Sequence, residues 1–277
     1  MLMTGGWMVV KKMSLSWAAL ALATAGSLGA CAAVFPELST PYRQVSEQSE
    51  LEPRPPEDLY FIRFESASVP AKTPGGTDWP RGGPDPFAKL IVDGVDVLVT
   101  SVAPRTRKPS WPDQPFRNYR IFNEAVIYVE VWDRNANGNL PICRERIRDL
   151  AQMRDGGSNE IWCDSGARAW LSVEPARGLR GLGLYYETRG ADGVRVTRVI
   201  GLSPAARAGI RQGDRILAIA GKKVAEMDPL QIQSEMNLHS RTGVKLDVWF
   251  KNGKRHLVTL KEAAVYPLGD EGLKLPR

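Results

Sequence analysis

The chain has 277 residues, of which 43% are hydrophobic and 25% charged, so it is long enough for one large or two ordinary globular domains and is not disordered throughout. Its formal net charge of +6 comes from basic residues that are scattered rather than clustered. Nucleic-acid binding needs a clustered basic footprint, so we expect no nucleic-acid partner.

The first residues have the pattern of an export signal. Two lysines precede an uncharged stretch over residues 13–30 that is rich in Leu and Ala and ends in small residues directly before Cys31. These are the parts of a secretory signal peptide, and the cysteine after them resembles the bacterial lipobox. The resemblance implies a signal peptide over residues 1–30 and a lipidated Cys31. An uncleaved transmembrane anchor is the competing interpretation.

Lipidation of Cys31 would fix the compartment. A lipoprotein of this kind lies in the bacterial cell envelope, anchored to the membrane by its N-terminal lipid. Ala32 supplies no acidic retention signal, which favours the outer membrane, facing the periplasm or the cell surface. Residues 31–57 that follow are rich in Pro, Ser, Gln and Glu and show little apolar periodicity. This composition predicts a disordered tether.

Residues 58–176 contain mostly strand signals, with short β-rich runs separated by turns. Asp93-Gly94 is a strong hairpin signal, and only residues 144–153 look helical. Many strands with turns between them predict an antiparallel β-sandwich. The runs are residues 59–64, 87–92, 95–99, 125–131 and 167–173.

Two further cysteines, Cys143 and Cys163, lie in this predicted sandwich. In an exported protein, which occupies an oxidising compartment, such a pair tends to form a disulfide. The alternative is two free buried thiols.

Three segments of this region, in order, resemble signature segments of C2 domains: residues 83–87, 109–116 and 129–135. The resemblance implies a C2-like sandwich with an oxygen-rich calcium site at one end. Asn stands at a position where calcium-binding relatives have Asp, which weakens such a site, and the alternative is that these polar residues only make turns. No cofactor other than calcium is indicated. Carried over residue by residue, the candidate ligands are Asp78, Asp85, Asp133 and Asn135.

The strongest motif of the chain is SPAARAGIRQGDRILAIAG over residues 203–221. Ser203 suits a helix N-cap and Pro204 the first helical position, and Gly209 ends the helix. The string resembles PDZ domains, in particular those of periplasmic bacterial proteins. The resemblance implies a PDZ-type partly open β-barrel with two helices over residues 177–266, followed by a tail over residues 267–277. The predicted fold class is therefore mainly β, a C2-like sandwich followed by a PDZ domain.

A peptide-binding loop is implied by the same resemblance, because RGLGL over residues 180–184 stands where PDZ domains bind a terminal carboxylate. Glycines let successive backbone N–H groups converge on an anion. A second predicted helix supplies apolar residues to the groove beside the loop, although these could equally be core residues. The implied site consists of Arg180, Gly181, Leu182, Gly183, Leu184, Ile232 and Met236.

Catalysis is not expected. The only two histidines, His239 and His256, lie inside the PDZ-like part, so no Ser-His-Asp set can assemble in the preceding domain. We expect a lipid-anchored envelope adaptor that binds the C-terminus or an extended segment of a protein partner. The alternatives are a structural lipoprotein whose sandwich binds calcium or a membrane surface, and a subunit of a secretion or assembly machine.

Overall fold

The computed structural model describes residues 37–154, 157–188 and 193–268. The predicted signal peptide and Cys31 lie outside these ranges, as does most of the predicted tail. Within these ranges, no helix combines the length and the apolar character needed to cross a bilayer.

Strands dominate the described ranges, which confirms the mainly-β prediction. The helices are α1 (Leu150–Met153), α2 (Pro204–Arg207) and α3 (Pro229–Ser240). In chain order, the strands are β1 (Leu38–Ser39), β2 (Tyr42–Arg43), β3 (Leu59–Ser68), β4 (Pro86–Val92), β5 (Val95–Val99), β6 (Asn118–Arg120), β7 (Ile127–Asp133), β8 (Leu140–Ile147), β9 (Ser158–Trp162), β10 (Arg168–Pro175), β11 (Leu179–Gly181), β12 (Leu184–Thr188), β13 (Val194–Val199), β14 (Arg215–Ile219), β15 (Lys222–Lys223), β16 (Val244–Trp249), β17 (Arg255–Leu260) and β18 (Ala263–Val265).

Strands β3 to β10 form the predicted antiparallel sandwich. One sheet has the order β6-β3-β10-β9 and the other β5-β4-β7-β8. Side chains alternate across each strand, so one face of each sheet can be apolar and pack on the other sheet. Phe64, Leu90, Val129 and Leu171 are completely buried in the resulting core. Burial of a side chain of this size contributes about 1.5–3 kcal/mol.

The hairpin between β4 and β5 follows from two residues. Asp93 and Gly94 have φ values of 49° and 81°, the left-handed conformation that a tight two-residue turn requires and that the Asp-Gly pair tolerates. The sequence predicted this turn.

The predicted helix over residues 144–153 is wrong for most of its length. β8 continues to Ile147 and pairs with β7, and only α1 is helical. Cys143 and Ile147 are buried whereas Arg144 and Arg146 are exposed, which is the period of two of a half-buried strand. Burial against the sandwich core therefore outweighs the helix propensity of the Arg and Glu residues.

Cys143 and Cys163 are joined in a disulfide, with their Cα atoms 5.5 Å apart. Cys143 lies in β8 and Cys163 directly follows β9, so the bond connects the edge strands of the two sheets. Both cysteines are buried. The bond therefore fastens the two layers of the sandwich at one side.

Replacing both cysteines with Ala is expected to lower the free energy of unfolding by about 3 kcal/mol, because a cross-link closing a loop of this length restricts the unfolded chain. Urea unfolding of the sandwich, monitored by tryptophan fluorescence, measures the loss. Wild-type protein in reducing buffer is the control and should match the variant. Equal stability of oxidised wild type and variant would contradict the role of the bond.

The C-terminal part folds as a strongly bent sheet with helices packed on it. The larger sheet has the order β1-β12-β13-β14-β16-β17, with β15 paired to β14, and a smaller sheet has the order β18-β11-β2. Ser203 caps α2 by accepting a hydrogen bond from Ala206 N (3.2 Å). Asp228 and Gln231 form a reciprocal capping box at the start of α3. Both caps agree with the sequence pattern.

The prediction of a disordered tether is wrong for residues 37–57. β1 pairs with β12, and β2 pairs with β11. The Gln48 side chain accepts from Gly178 N (2.6 Å) and donates to Gly178 O (3.2 Å), and Leu51 is fully buried. Polar composition does not prevent this order, because backbone pairing to an open sheet edge needs no apolar side chains.

Candidate functional site

The loop Gly181-Leu182-Gly183-Leu184 connects β11 to β12 and is fixed from below. Ala205 N donates to Leu182 O, and Ile200 N donates to Gly183 O, both at 3.0 Å. Gly183 has a φ of 79°, and its Cα lies against Ser203, the cap of α2. The start of α2 therefore sets the shape of the loop.

Two backbone donors in this loop are left over. Within the described ranges, neither the N–H of Leu182 nor that of Gly183 donates a hydrogen bond, although both residues are buried. A buried N–H group without a partner is costly and uncommon. Successive N–H groups of this kind are the donors of an anion-binding nest.

The free edge of β12, next to these donors, is occupied by the N-terminal segment of the chain itself. β1 runs antiparallel to β12, with Leu38 opposite Tyr186 and Ser39 opposite Tyr185. Thr40 N donates to Leu184 O (2.9 Å). An extended segment thus lies where a peptide ligand would add as an extra strand.

Thr40 brings a side-chain oxygen to the loop. Leu184 N donates to Thr40 Oγ1 at 3.3 Å, and the hydroxyl is also 3.3 Å from Leu184 O. Thr40 is completely buried. A hydroxyl oxygen therefore stands beside the loop where a terminal carboxylate oxygen would stand in a bound peptide.

Glu37 anchors the outer end of β1. Its carboxylate accepts from Thr197 Oγ1 (2.6 Å) and from the Arg198 guanidinium (2.7 Å). Partial burial acts to raise the pKa of Glu37, but these hydrogen bonds and the Arg198 charge together hold it below its ordinary value. Arg198 in turn lies over the Tyr185 ring, 4.0 Å from its centroid.

Other predicted site residues have different surroundings. Ile232 and Met236 are buried in the same core cluster as Leu182 and Leu184, and Leu38 packs against that cluster. With β1 in place, these side chains are not open to solvent.

The remaining two predicted residues contact the N-terminal segment. The Arg180 guanidinium donates to Glu50 O at 3.3 Å. A Cβ added to Gly181 would lie 2.5 Å from Cδ1 of Tyr42, so glycine is required for the close approach of β2.

At one end of the sandwich, three of the four predicted calcium ligands are brought together. Asp133 Oδ1 accepts from Asp85 N (2.7 Å), and Asp133 Oδ2 accepts from Asn135 Nδ2 (2.8 Å). Asp85 Oδ1 accepts from Arg105 N (2.7 Å). Asp78 pairs instead with Lys72 through a β-bridge. These carboxylates connect loops.

Comparison with known proteins identifies the C-terminal part. Residues 195–249 match the family model of the PDZ domain. The predicted PDZ domain is confirmed. The matched residues include α2, the strand that follows it and α3. No curated protein matches the chain.

Solved structures similar to the chain are C2 domains. A structure described as that of a C2 domain is 14% identical and covers 42% of this chain and 97% of its own, with a TM-score of 0.29. The paired C2 domains of calcium-bound Extended-Synaptotagmin 2 are 16% identical and cover 45% and 48%, with a TM-score of 0.34. A single C2 domain of plant Extended Synaptotagmin 1 is 15% identical and covers 44% and 98%, with a TM-score of 0.33. Likeness at this level carries no argument about ligands.

Calcium binding stays a prediction. Among the residues that the structure describes, no group of three or more His, Cys, Asp or Glu side chains could hold a metal ion. Asn135 directs its amide nitrogen, not its oxygen, at Asp133.

The sequence analysis missed Glu37, Leu38, Thr40 and Arg198. The only local signal for the first three is a short stretch without proline between Pro36 and Pro41, which is too brief to predict a strand. Arg198 lies in a predicted PDZ domain, but its importance depends on Glu37, which is more than 150 residues away.

Gly183→Ala is expected to destabilise the PDZ domain by roughly 3 kcal/mol, because the added Cβ would overlap the Ser203 side chain and the residue must stay left-handed. Gly209→Ala is the matched control: Gly209 has a φ of 80°, and nothing lies within 4 Å of its added Cβ. This control should lose only about 1 kcal/mol. Urea unfolding compares the two, and equal losses would contradict the packing of the loop on the α2 cap.

Asp133→Asn is expected to cost about 1–3 kcal/mol of stability, because Asp133 is buried and satisfies Asp85 N. The Tm with and without calcium measures the effect. If the carboxylate only connects loops, the loss is equal in calcium and in chelator. A rise in the wild-type Tm on adding calcium that the variant lacks would show instead that Asp133 is a calcium ligand.

Proposed function

We propose that this protein is a lipid-anchored adaptor of the bacterial cell envelope whose PDZ domain captures the C-terminus or an extended segment of a protein partner. The observation that carries the proposal is the edge of β12. It already accepts an antiparallel segment, with Thr40 N on Leu184 O, beside two N–H groups that have no partner in the described ranges. This is recognition by strand addition.

The groove offers two kinds of interaction. The Leu182, Gly183 and Leu184 N–H groups can together hold an anionic carboxylate, and hydrogen bonds to a charged group contribute more than neutral ones. Ile232 and Met236 belong to the apolar cluster beneath the added strand. Backbone pairing thus supplies affinity, and the side-chain positions supply selectivity.

The anchoring part of the proposal rests on the lipobox-like pattern before Cys31. Six residues separate Cys31 from Glu37, and a fully extended chain of that length spans at most about 20 Å. Because β1 is packed on the PDZ domain, lipidation at Cys31 would hold the groove close to the membrane surface. The adaptor would therefore capture partners near the membrane.

Binding without catalysis agrees with the surroundings of the two histidines. His239 lies beside Glu235 (3.5 Å) on α3, and the His256 ring packs against Phe250 with centroids 5.7 Å apart. Neither histidine is part of the loop over residues 181–184.

A library of C-terminal heptapeptides with free carboxylates, screened against the full chain in detergent at up to millimolar concentration, tests the proposal. We expect selected peptides whose amidated forms bind at least about tenfold more weakly, because amidation removes the charge that the N–H groups hold. The amidated peptide is the matched control. A folded protein, with unchanged circular dichroism, that selects no peptide would contradict the proposal.

A further inference from the structure

We propose that Glu37–Thr40 is a resident ligand of the PDZ groove, and that a partner C-terminus replaces it with the same chemistry: an acidic residue, an apolar residue, a small residue and a terminal Thr or similar β-branched residue. The inference rests on the proposed function, and it names the ligand class and the competitor at the same site.

The register of β1 on β12 assigns the ligand positions. Thr40 bonds Leu184 at the loop, Ser39 lies opposite Tyr185, and Leu38 lies opposite Tyr186. A C-terminus in the same register would place its carboxylate beside the Leu184 N–H. Thr40 Oγ1 therefore marks the position of one carboxylate oxygen.

The resident segment satisfies the loop incompletely. Its hydroxyl accepts only from Leu184 N, at 3.3 Å, while the N–H groups of Leu182 and Gly183 donate no hydrogen bond within the described ranges. A carboxylate has two oxygens and about four acceptor sites, and it carries a full charge. A terminal carboxylate can therefore bind all three N–H groups and displace the hydroxyl.

Two side chains define the rest of the ligand. Leu38 packs on the cluster that contains Ile232 and Met236, so the position two residues before the end favours an apolar side chain. Glu37 pairs with Arg198, whose guanidinium is held over the Tyr185 ring. The position three residues before the end therefore favours an acid.

The resident segment can leave without unfolding the domain. Glu37 is exposed, Leu38 and Ser39 are half-buried, and β1 has only two residues. The next contacts along the chain, from Tyr42 on Gly181 and from Gln48 on Gly178, do not involve β12. Opening of a short end segment of this kind needs far less free energy than global unfolding.

Occupancy by the resident segment lowers the apparent affinity for a partner. A segment of the same chain competes at an effective concentration in the millimolar range, and the partner binds only the fraction of molecules in which the groove is open. Weakening the resident segment should therefore strengthen binding of a peptide added in trans.

The test uses the fluorescein-labelled peptide Val-Phe-Pro-Glu-Leu-Ser-Thr with a free C-terminal carboxylate, the sequence of residues 34–40. Fluorescence anisotropy measures its binding to the full chain in detergent. Glu37→Arg removes the exposed pair with Arg198 and should tighten binding about threefold to fivefold. Glu47→Arg, an equal charge change at an exposed residue away from the groove, is the matched control and should leave binding unchanged.

Charge reversal tests the ligand class. In Arg198→Glu, the same peptide with Arg in place of its Glu should bind better than the original peptide, whereas the wild type should prefer the original. A merely structural role of Arg198 would weaken both peptides equally.

Equal peptide affinity in Glu37→Arg and Glu47→Arg, or an unchanged peptide preference in Arg198→Glu, would overturn the inference. If library peptides bind the wild type but the residue 34–40 peptide binds no variant, the inference fails and the proposed function stands. If no peptide binds the wild type, Glu37→Arg or the more disruptive Leu38→Asp, both fail.

Discussion

The pairing of residues 38–40 with β12 is the constraint on which the C-terminal part of the molecule depends. An open edge strand presents unpaired N–H and C=O groups, which in other proteins lead to unwanted association. Here β1 covers that edge, and Thr40 is buried while bonding Leu184 in both directions. The same edge is the place at which a PDZ domain accepts its ligand. Protection of the edge and occupation of the binding site are thus one interaction.

The chain after β1 also connects the two folded parts. Leu51, Leu59 and Tyr266 share a small buried cluster, and Leu59 begins the first strand of the sandwich. Asn118, which is completely buried, accepts from Arg177 N and donates to the carbonyl oxygens of Arg177 and Pro267, all at 2.9 Å. Apolar packing and a satisfied buried amide both hold this junction. The segment that fills the groove is therefore continuous with one that stabilises the junction.

Local signals predicted local structure, and contacts distant in sequence were beyond them. Ser203 and Asp228 indicated the starts of α2 and α3, because capping depends on residues a few positions away. Asp93-Gly94 indicated its hairpin for the same reason. The order of residues 37–57 depends on partners more than 100 residues away, such as Gly178 for Gln48. Composition correctly showed that this segment lacks a core of its own, but it could not show that another domain supplies the surface.

Backbone donors distinguish the binding site from the other polar clusters of the chain. Asp214 accepts from Arg211 N and Lys251 N, both at 2.8 Å, and the Asp133 cluster satisfies loop N–H groups in the same way. Such clusters are closed, since each buried carboxylate and each donor has its partner. In the loop over residues 181–184, the residue that stands in for a carboxylate is a threonine, and two buried donors remain without a partner in the described ranges. A site built for an anion but occupied by a hydroxyl holds its occupant less strongly than a matched ligand would be held, which is the physical basis for exchange.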